Sequence, residues 1–128
     1  MERSAYLAKL QRSKKSTALN TLFERYDTVK SCPVRTTSNL IGGKWKPVIY
    51  YIVMHDVNRF GEMLHMIGDI SKKMLTSQLR ELENDGILNR VILSQKPLHI
   101  EYYISEKGKS LAPVINAMCD WGMTNPGR

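Results

Sequence analysis

Cysteine is scarce in this sequence. The chain has only two cysteines among its 128 residues, far apart at positions 32 and 119. A small secreted domain held together by disulfides needs a denser cysteine framework. The scarcity therefore favours a protein of a reducing compartment, and we expect it to be cytoplasmic.

Long apolar runs are also missing. The longest strongly apolar stretch, Pro47 to Met54, is far short of the ~20 residues that span a bilayer. The N-terminus is charged and polar, and it lacks the hydrophobic run of a signal peptide. We expect neither a secretory signal nor a membrane span.

Acidic residues are few relative to basic ones. Asp and Glu number 12 against 19 Lys and Arg, which gives a net charge of +7. Such an excess favours anionic partners, with nucleic acid and acidic membrane surfaces as the leading classes. The length of 128 residues is typical of a single domain.

Catalytic and metal-binding patterns are absent as well. No nucleophile, base and orienting group can be assembled from the sequence. The three histidines fall on three different predicted elements, without the spacing of metal ligands: His55, His65 and His99. We expect a protein that is not an enzyme and that has no metal site and no cofactor.

A helix with two contrasting faces is predicted over residues 71–85. Ser71 is its predicted N-cap, because a serine oxygen can accept a first-turn N–H, and Gly86 is its predicted left-handed C-cap. Between the caps, one apolar stripe recurs at i, i+4 and i+7 and consists of Leu75, Leu79 and Leu82.

The opposite face of this helix is polar and cationic, and it carries Lys73, Thr76, Ser77 and Arg80. Lys72 and Lys73 crowd the first turn, where the helix dipole disfavours cations by about 0.3–1 kcal/mol. Stability alone would not select lysines there. A polyanion that binds this end of the helix explains them.

A shorter helix precedes the 71–85 helix. Asn58 is its predicted N-cap and Gly68 its predicted end, and its apolar positions are Phe60, Met63, Leu64 and Ile67. Asp69 and Ile70 form the predicted turn into Ser71. Two helices joined by a short turn, the second with a basic outer face, are typical of a helix-turn-helix.

A β-hairpin is predicted over residues 88–104. Its strands are Leu88 to Leu93 and Leu98 to Ile104, and the second alternates apolar and polar residues with period two. Ser94 to Pro97 is the predicted polar turn. A hairpin attached to a helix-turn-helix is a wing.

The remaining segments are predicted helices. Trp45 to Met54 is apolar nearly all round and should be central and buried, and a short helix before it runs from Cys32-Pro33 through Leu40. A last helix, capped by Ser105 and bent at Pro113, carries an apolar stripe of Leu111, Val114, Ile115, Met118 and Trp121.

An amphipathic helix is also predicted near the N-terminus, with apolar residues Leu19, Leu22, Phe23 and Tyr26. This apolar stripe packs either against its own subunit or against a second copy of the chain. Residues 1–15 form either a solvated arm or a basic arm that touches DNA phosphates or a partner subunit.

These elements make a mainly α fold with a small β-hairpin (α+β), a winged helix-turn-helix. We divide the chain into a basic arm and dimerisation helix at 1–30, a DNA-binding domain at 31–104 and a C-terminal dimerisation helix and tail at 105–128.

Residues 32 to 122 resemble the HxlR-type winged-helix transcription regulators of bacteria. The resemblance is carried by Cys32-Pro33-Val34, Leu40-Ile41-Gly42-Gly43-Lys44-Trp45, Arg59-Phe60-Gly61-Glu62, Ile70-Ser71-Lys72-Lys73-Met74-Leu75-Thr76, Leu79-Arg80-Glu81-Leu82-Glu83-Asn84-Asp85-Gly86, Ile100-Glu101-Tyr102, Gly108 and Trp121-Gly122. It implies a homodimer built on terminal helices, with recognition helices in major grooves and wings over the DNA backbone. Residues 1–30 lie mostly outside the match.

The hypothesis for function is a sequence-specific regulator of transcription, a repressor or dual regulator, that binds a palindromic duplex operator. Lys73, Thr76, Ser77 and Arg80 would face the major groove, with Arg80 as the candidate for a bidentate guanine contact. Phosphates would contact the Ser71 backbone and the side chains of Lys72, Lys44, Lys46 and Arg59. Lys96 at the wing tip would reach the DNA backbone or the minor groove. For each cation, the alternative is a solvated surface charge with no DNA contact. For the protein as a whole, the alternative is a protein-interaction and dimerisation module that binds no operator.

Cys32 is a candidate for oxidant or electrophile sensing. The resemblance implies this role, because several family members use a cysteine at the matching place, and a reactive thiol needs partial exposure and nearby positive charge. Lys30 and Arg35 are close in sequence. The alternative is an inert, partly buried cysteine. Cys119 is predicted to lie in the core.

Overall fold

The structure is a computed structural model that describes residues 32–127. Residues from Leu40 onward form one compact unit, and residues 32–39 fall in a separate one. The predictions for residues 1–31 lie outside the described residues, including the apolar stripe of Leu19, Leu22, Phe23 and Tyr26.

The described elements follow the predicted order of helices and hairpin. They are α1 (Pro33–Ile41), α2 (Lys46–Met54), α3 (Phe60–Ile67), α4 (Lys72–Asn84), β1 (Leu88–Gln95), β2 (Leu98–Ile104), α5 (Glu106–Lys109) and α6 (Ala112–Thr124). The helix-turn-helix, α3 and α4, and the hairpin, β1 and β2, together form the predicted winged helix-turn-helix.

The core is built from the inward faces of the helices and the start of the hairpin. Its buried side chains include Ile49, Tyr50, Val53, Met63, Leu75, Leu79, Leu82, Leu88 and Ile115. The leucine stripe of α4 is therefore buried as predicted. Helix α2 is less enclosed than predicted, because Val48 and Tyr51 on its outer side are exposed.

Helix α4 has the predicted caps. The Ser71 hydroxyl oxygen accepts a hydrogen bond from the Met74 N–H at 3.0 Å. Gly86 has φ +76°, a conformation that L side chains rarely adopt, and it ends the α4 turn. These caps fix both ends of the helix.

The predicted N-cap of α3 is wrong. The residue before the helix is Arg59, and its side chain makes no cap hydrogen bond. Asn58 instead binds β2: its Nδ2 donates to the Tyr102 carbonyl at 2.7 Å, and the Tyr102 N–H donates to the Asn58 carbonyl at 2.8 Å. This paired contact occupies the amide group and attaches the loop before α3 to the wing.

The wing is an antiparallel two-stranded sheet whose register runs from Leu88 opposite Ile104 to Gln95 opposite Leu98. The turn is shorter than predicted, because Ser94 and Gln95 pair with β2 and leave only Lys96 and Pro97 between the strands. An irregularity between Ile92 and Ser94 interrupts the ladder. Such a bulge increases local twist.

The C-terminal region contains two helices rather than one bent helix. Ser105 caps α5 as predicted, since its Oγ accepts from the Gly108 N–H at 2.8 Å and donates to the Gly86 carbonyl at 2.5 Å. Pro113 lies in the first turn of α6, where a missing N–H costs nothing. It therefore begins a helix instead of bending one.

Candidate nucleic-acid interface

Helix α4 presents its polar side to solvent because its leucines face the core. On that exposed side, five predicted residues lie together with Glu81 and Asn84 on one shallow concave surface, which we call the α4 surface: Lys72, Lys73, Thr76, Ser77, Arg80, Glu81 and Asn84. It combines three cations with hydroxyl and amide groups, the side-chain types that contact phosphates and base edges.

The start of α4 is suited to bind an anion. Its first-turn N–H groups and dipole give a positive end, and Lys72 and Lys73 are both exposed there. The Thr76 hydroxyl donates to the Lys72 carbonyl at 2.8 Å, so its oxygen still accepts hydrogen bonds from outside. Ser71 is exposed at this end of the helix, and its Oγ caps the Met74 N–H, which leaves the predicted phosphate contact to its backbone.

Lys46 does not fit its predicted role as a phosphate contact. Its side chain is only 11% exposed, and its Nζ lies 3.5 Å from Glu81 Oε1. The other Glu81 oxygen, Oε2, accepts from Gln78 Nε2 at 3.0 Å. Position 46 is the first residue of α2, next to α4, so the ammonium is directed at that helix rather than at solvent.

Two other predicted phosphate contacts are exposed, at the edges of the helix-turn-helix. Lys44 Nζ lies 3.9 Å from Asp69 Oδ2 and 4.6 Å from the centre of the Trp45 ring. Arg59 is exposed immediately before α3. Both side chains retain solvent-facing donors.

A polar cluster lies along one face of β2, at alternate positions of the strand. His99 Nε2 is 2.7 Å from Glu101 Oε2, and the Tyr103 hydroxyl donates to Glu101 Oε1. The Tyr103 and His99 hydrogen bonds, with a smaller contribution from the charge of Arg59, lower the pKa of Glu101 below its usual value. The hydrogen bond between Tyr103 and Glu101 also raises the pKa of Tyr103. The cluster thus favours the ionised form of Glu101 and holds its carboxylate between His99 and Tyr103.

The wing carries one predicted cation and one that the sequence interpretation missed. Lys96 is exposed in the two-residue turn, as expected for a wing tip. Asn89 and Arg90 are both exposed on β1. The signal for them was a polar pair in the predicted strand Leu88 to Leu93, whose other residues are apolar.

The two cysteines are both free thiols. Cys32 is partly exposed, which leaves both the sensor and the inert interpretation open. Cys119 is also partly exposed, so its predicted core position is wrong. Its Sγ lies 3.7 Å from the Tyr51 hydroxyl, at the edge of a groove between α2 and α6. The hydrogen bond with Cys119 raises the pKa of Tyr51.

Helix α6 exposes an apolar face. Trp121 is 68% exposed and Met118 49%, and they border a shallow groove with Pro113, Val114 and Ala117. Ile115 is 2% exposed in the core of its own subunit, and Leu111 packs against that core. The surface open to a second subunit is therefore narrower than the predicted stripe and consists of Val114, Met118 and Trp121.

Within residues 32–127 no three His, Cys, Asp or Glu side chains are grouped so that they could hold a metal ion. None of the helices in that range has the length and apolar character needed to cross a membrane.

Residues 40–128 match the family model described as HxlR-like helix-turn-helix. The chain belongs to this family. Its HxlR-like relatives include the HTH-type transcriptional regulator YdeP of Bacillus subtilis (strain 168), which is 45% identical over 96 residues, 75% of this chain and 75% of YdeP. The HxlR-like chain is thus a helix-turn-helix regulator of transcription.

Solved structures of similar proteins have the same fold. The redox regulator HypR in its oxidised form is 41% identical, with a TM-score of 0.71 over 76% of this chain and 100% of HypR. The reduced form of the transcriptional regulator YodB from B. subtilis is 35% identical, with a TM-score of 0.62 over 76% of this chain and 98% of YodB. The HxlR-like fold assigned from the sequence is confirmed.

Proposed function

We propose that this HxlR-like regulator binds duplex DNA as a homodimer and inserts α4 into the major groove. The observation that carries the proposal is the exposed α4 surface, on which Lys72, Lys73 and Arg80 lie beside the hydroxyls of Thr76 and Ser77. Arg80 hydrogen-bonds a guanine edge bidentately, and Lys72 pairs with a phosphate at the helix start.

Cations on the wing and at the edges of the helix-turn-helix supply further contacts with the DNA backbone in this proposal. Lys96 and Arg90 lie on the wing, and Lys44 and Arg59 lie at the edges of the helix-turn-helix, all four exposed. If a dimer neutralises about six to ten phosphates, affinity falls about 10³- to 10⁵-fold between about 50 and 200 mM salt.

Dimerisation is the second part of the proposal, with each subunit using the exposed apolar residues Val114, Met118 and Trp121 of α6. Isolated apolar residues are common on surfaces, but a contiguous apolar face on one helix favours a partner. A two-fold dimer then reads two half-sites separated by about one turn of DNA, roughly 34 Å. Because a bacterial operator lies on DNA in the cytoplasm, the proposal includes a cytoplasmic location for the protein.

The rival function is an interaction module without operator binding. Such a module would have an acidic or apolar outer face on α4. The exposed cations of α4 in this protein favour DNA instead. The one acidic group on the α4 surface, Glu81, is paired with Lys46 and Gln78.

The test is a binding selection from random duplexes at fixed salt, followed by gel-shift titration of the selected site. We expect Arg80→Ala to weaken binding at least about fivefold, which corresponds to about 1 kcal/mol, the lower end for one bidentate contact. Lys109→Ala is the control, because Lys109 is an exposed cation on α5 that is paired with Glu106 and is not part of the α4 surface. Equal binding by wild type and Arg80→Ala would contradict the assignment of α4.

A further inference from the structure

The Lys46–Glu81 pair joins the second helix to the DNA-facing helix. Lys46 is the first residue of α2 and is almost enclosed, whereas the Glu81 side chain is 51% exposed on the α4 surface. The two charged atoms are 3.5 Å apart. Glu81 is therefore the partner that is free to change its orientation, and Lys46 is the fixed one.

Glu81 is an unfavourable residue for a surface that binds a polyanion. It follows Arg80 directly, and its carboxylate lies on the same concave surface as Lys73, Ser77 and Asn84. A free carboxylate near a phosphate is repelled, by an energy worth about a tenfold loss of affinity at 7–8 Å and an intermediate dielectric constant. Yet both oxygens of Glu81 are engaged within the protein, one by Lys46 and the other by Gln78.

We propose that Lys46 is a positioning residue for DNA binding: it holds and neutralises the Glu81 carboxylate, so that the α4 surface is presented to DNA without that negative charge. Lys46 itself contacts no phosphate. This inference rests on the proposed function, since it assumes that α4 faces DNA.

The pair also explains why a lysine occupies a nearly buried position. Burying an ammonium group is costly unless a partner compensates it. Glu81 supplies that partner, and half of its side chain remains in solvent, so removal of Lys46 leaves no buried unpaired charge. Methionine has a similar length to lysine and can fill the same apolar site, so Lys46→Met should fold.

The experiment compares four proteins on the selected operator: wild type, Lys46→Met, Glu81→Gln and the double variant Lys46→Met/Glu81→Gln. We expect Lys46→Met to bind about tenfold more weakly per recognition helix, because Glu81 is released towards the phosphates. Glu81→Gln alone should bind at least as well as wild type. The double variant should return to within about threefold of wild type, an effect that a loss of folding would not show.

Salt dependence separates the proposal from a direct contact. The double variant should keep the wild-type slope of log affinity against log salt, because no phosphate contact has been removed. A double variant as weak as Lys46→Met, or a slope reduced by about 0.9 per subunit, would overturn the proposal.

Arg80→Ala, measured beside these variants, separates failure of this inference from failure of the proposed function. If Arg80→Ala loses binding while the Lys46 series does not behave as stated, only the inference fails. If Arg80→Ala also binds as wild type does, the assignment of α4 to DNA fails with it. Should Lys46→Met not fold, a double variant that binds more weakly than wild type or has a reduced slope still overturns the proposal.

Discussion

The hydroxyl of Tyr50 donates a 2.6 Å hydrogen bond to the carbonyl of Gly108, 58 residues further along the chain. Tyr50 is fully buried in α2, and burial raises the pKa of its phenol. Gly108 lies in α5, which follows the wing. The bond therefore connects the central helix to the segment that anchors the returning strand of the wing.

Tyr50→Phe should lower the free energy of unfolding by about 0.5–1.5 kcal/mol. The cost stays modest because the Gly108 carbonyl also accepts the Leu111 N–H at 3.0 Å and keeps a partner. Urea unfolding followed by circular dichroism measures it. The matched control is Tyr51→Phe, since the Tyr51 side chain is on the exposed side of α2, and we expect a change within about 0.5 kcal/mol. Equal effects of the two variants would contradict the importance of the buried bond.

Gly108→Ala should be far more damaging. A Cβ at this position would lie 2.2 Å from the Ile87 carbonyl oxygen and 3.0 Å from Ile104 Cγ2, so backbone segments would have to separate. We expect a loss of about 3 kcal/mol or more, measured by thermal or urea unfolding. Gly61→Ala is the control, because it has open space in α3 and should gain about 0.5–1 kcal/mol from helix propensity. A Gly108→Ala protein as stable as wild type would show that the close approach is not maintained.

The cluster on β2 predicts an acid-sensitive contribution to stability. Hydrogen bonds from Tyr103 and His99 lower the pKa of Glu101 from its usual 4.5, so the unfolded chain takes up a proton more readily than the folded one. This stabilisation is complete above about pH 4.5 and is lost as pH falls through the lowered pKa.

Unfolding in urea between pH 6 and pH 3 tests the acid-sensitive contribution. Glu101→Gln should have a shallower acid decline than wild type, and Tyr103→Phe, which removes the strongest of these contacts, should have an intermediate one. Identical acid slopes for wild type and Glu101→Gln would exclude the cluster as a source.

Oxidation tests the role of Cys32. If Cys32 is the sensor, treatment with diamide, which couples thiols into disulfides, reduces DNA binding by the wild type, and Cys32→Ser resists it. Cys119→Ser is the matched control and should respond as the wild type does, since the disulfide then joins the Cys32 thiols of two copies of the chain. Loss of binding that persists in Cys32→Ser would exclude Cys32.

The organisation of the helix-turn-helix and wing could be predicted because it depends on local signals. The leucine spacing of α4, the Ser71 cap, the Gly86 turn and the alternation along β2 each follow from residues close in sequence. The same signals identified the cationic face of α4, whose residues share one helical surface. These predictions needed no knowledge of tertiary contacts.

Errors arose where a distant partner competes for a residue. Asn58 has the right chemistry for a cap, but Tyr102 on β2 occupies it. Lys46 resembles a surface cation, but Glu81, 35 positions later, binds it. Pro113 lies in a helical pattern of apolar residues, but the structure divides this pattern into α5 and α6, with Leu111 as the N-cap residue of α6. Such competition depends on packing between elements, which helical and strand periodicity do not encode.

The measurement that tests the central claim most directly is base discrimination by Arg80. Wild type and Arg80→Ala are titrated against the selected operator and against operators with each guanine replaced in turn. We predict that Arg80→Ala loses discrimination at one guanine position in each half-site, worth about 1–3 kcal/mol per contact, and keeps the wild-type affinity for non-specific duplex to within about threefold. Unchanged discrimination at every guanine in Arg80→Ala would contradict the claim that α4 reads the major groove through this residue.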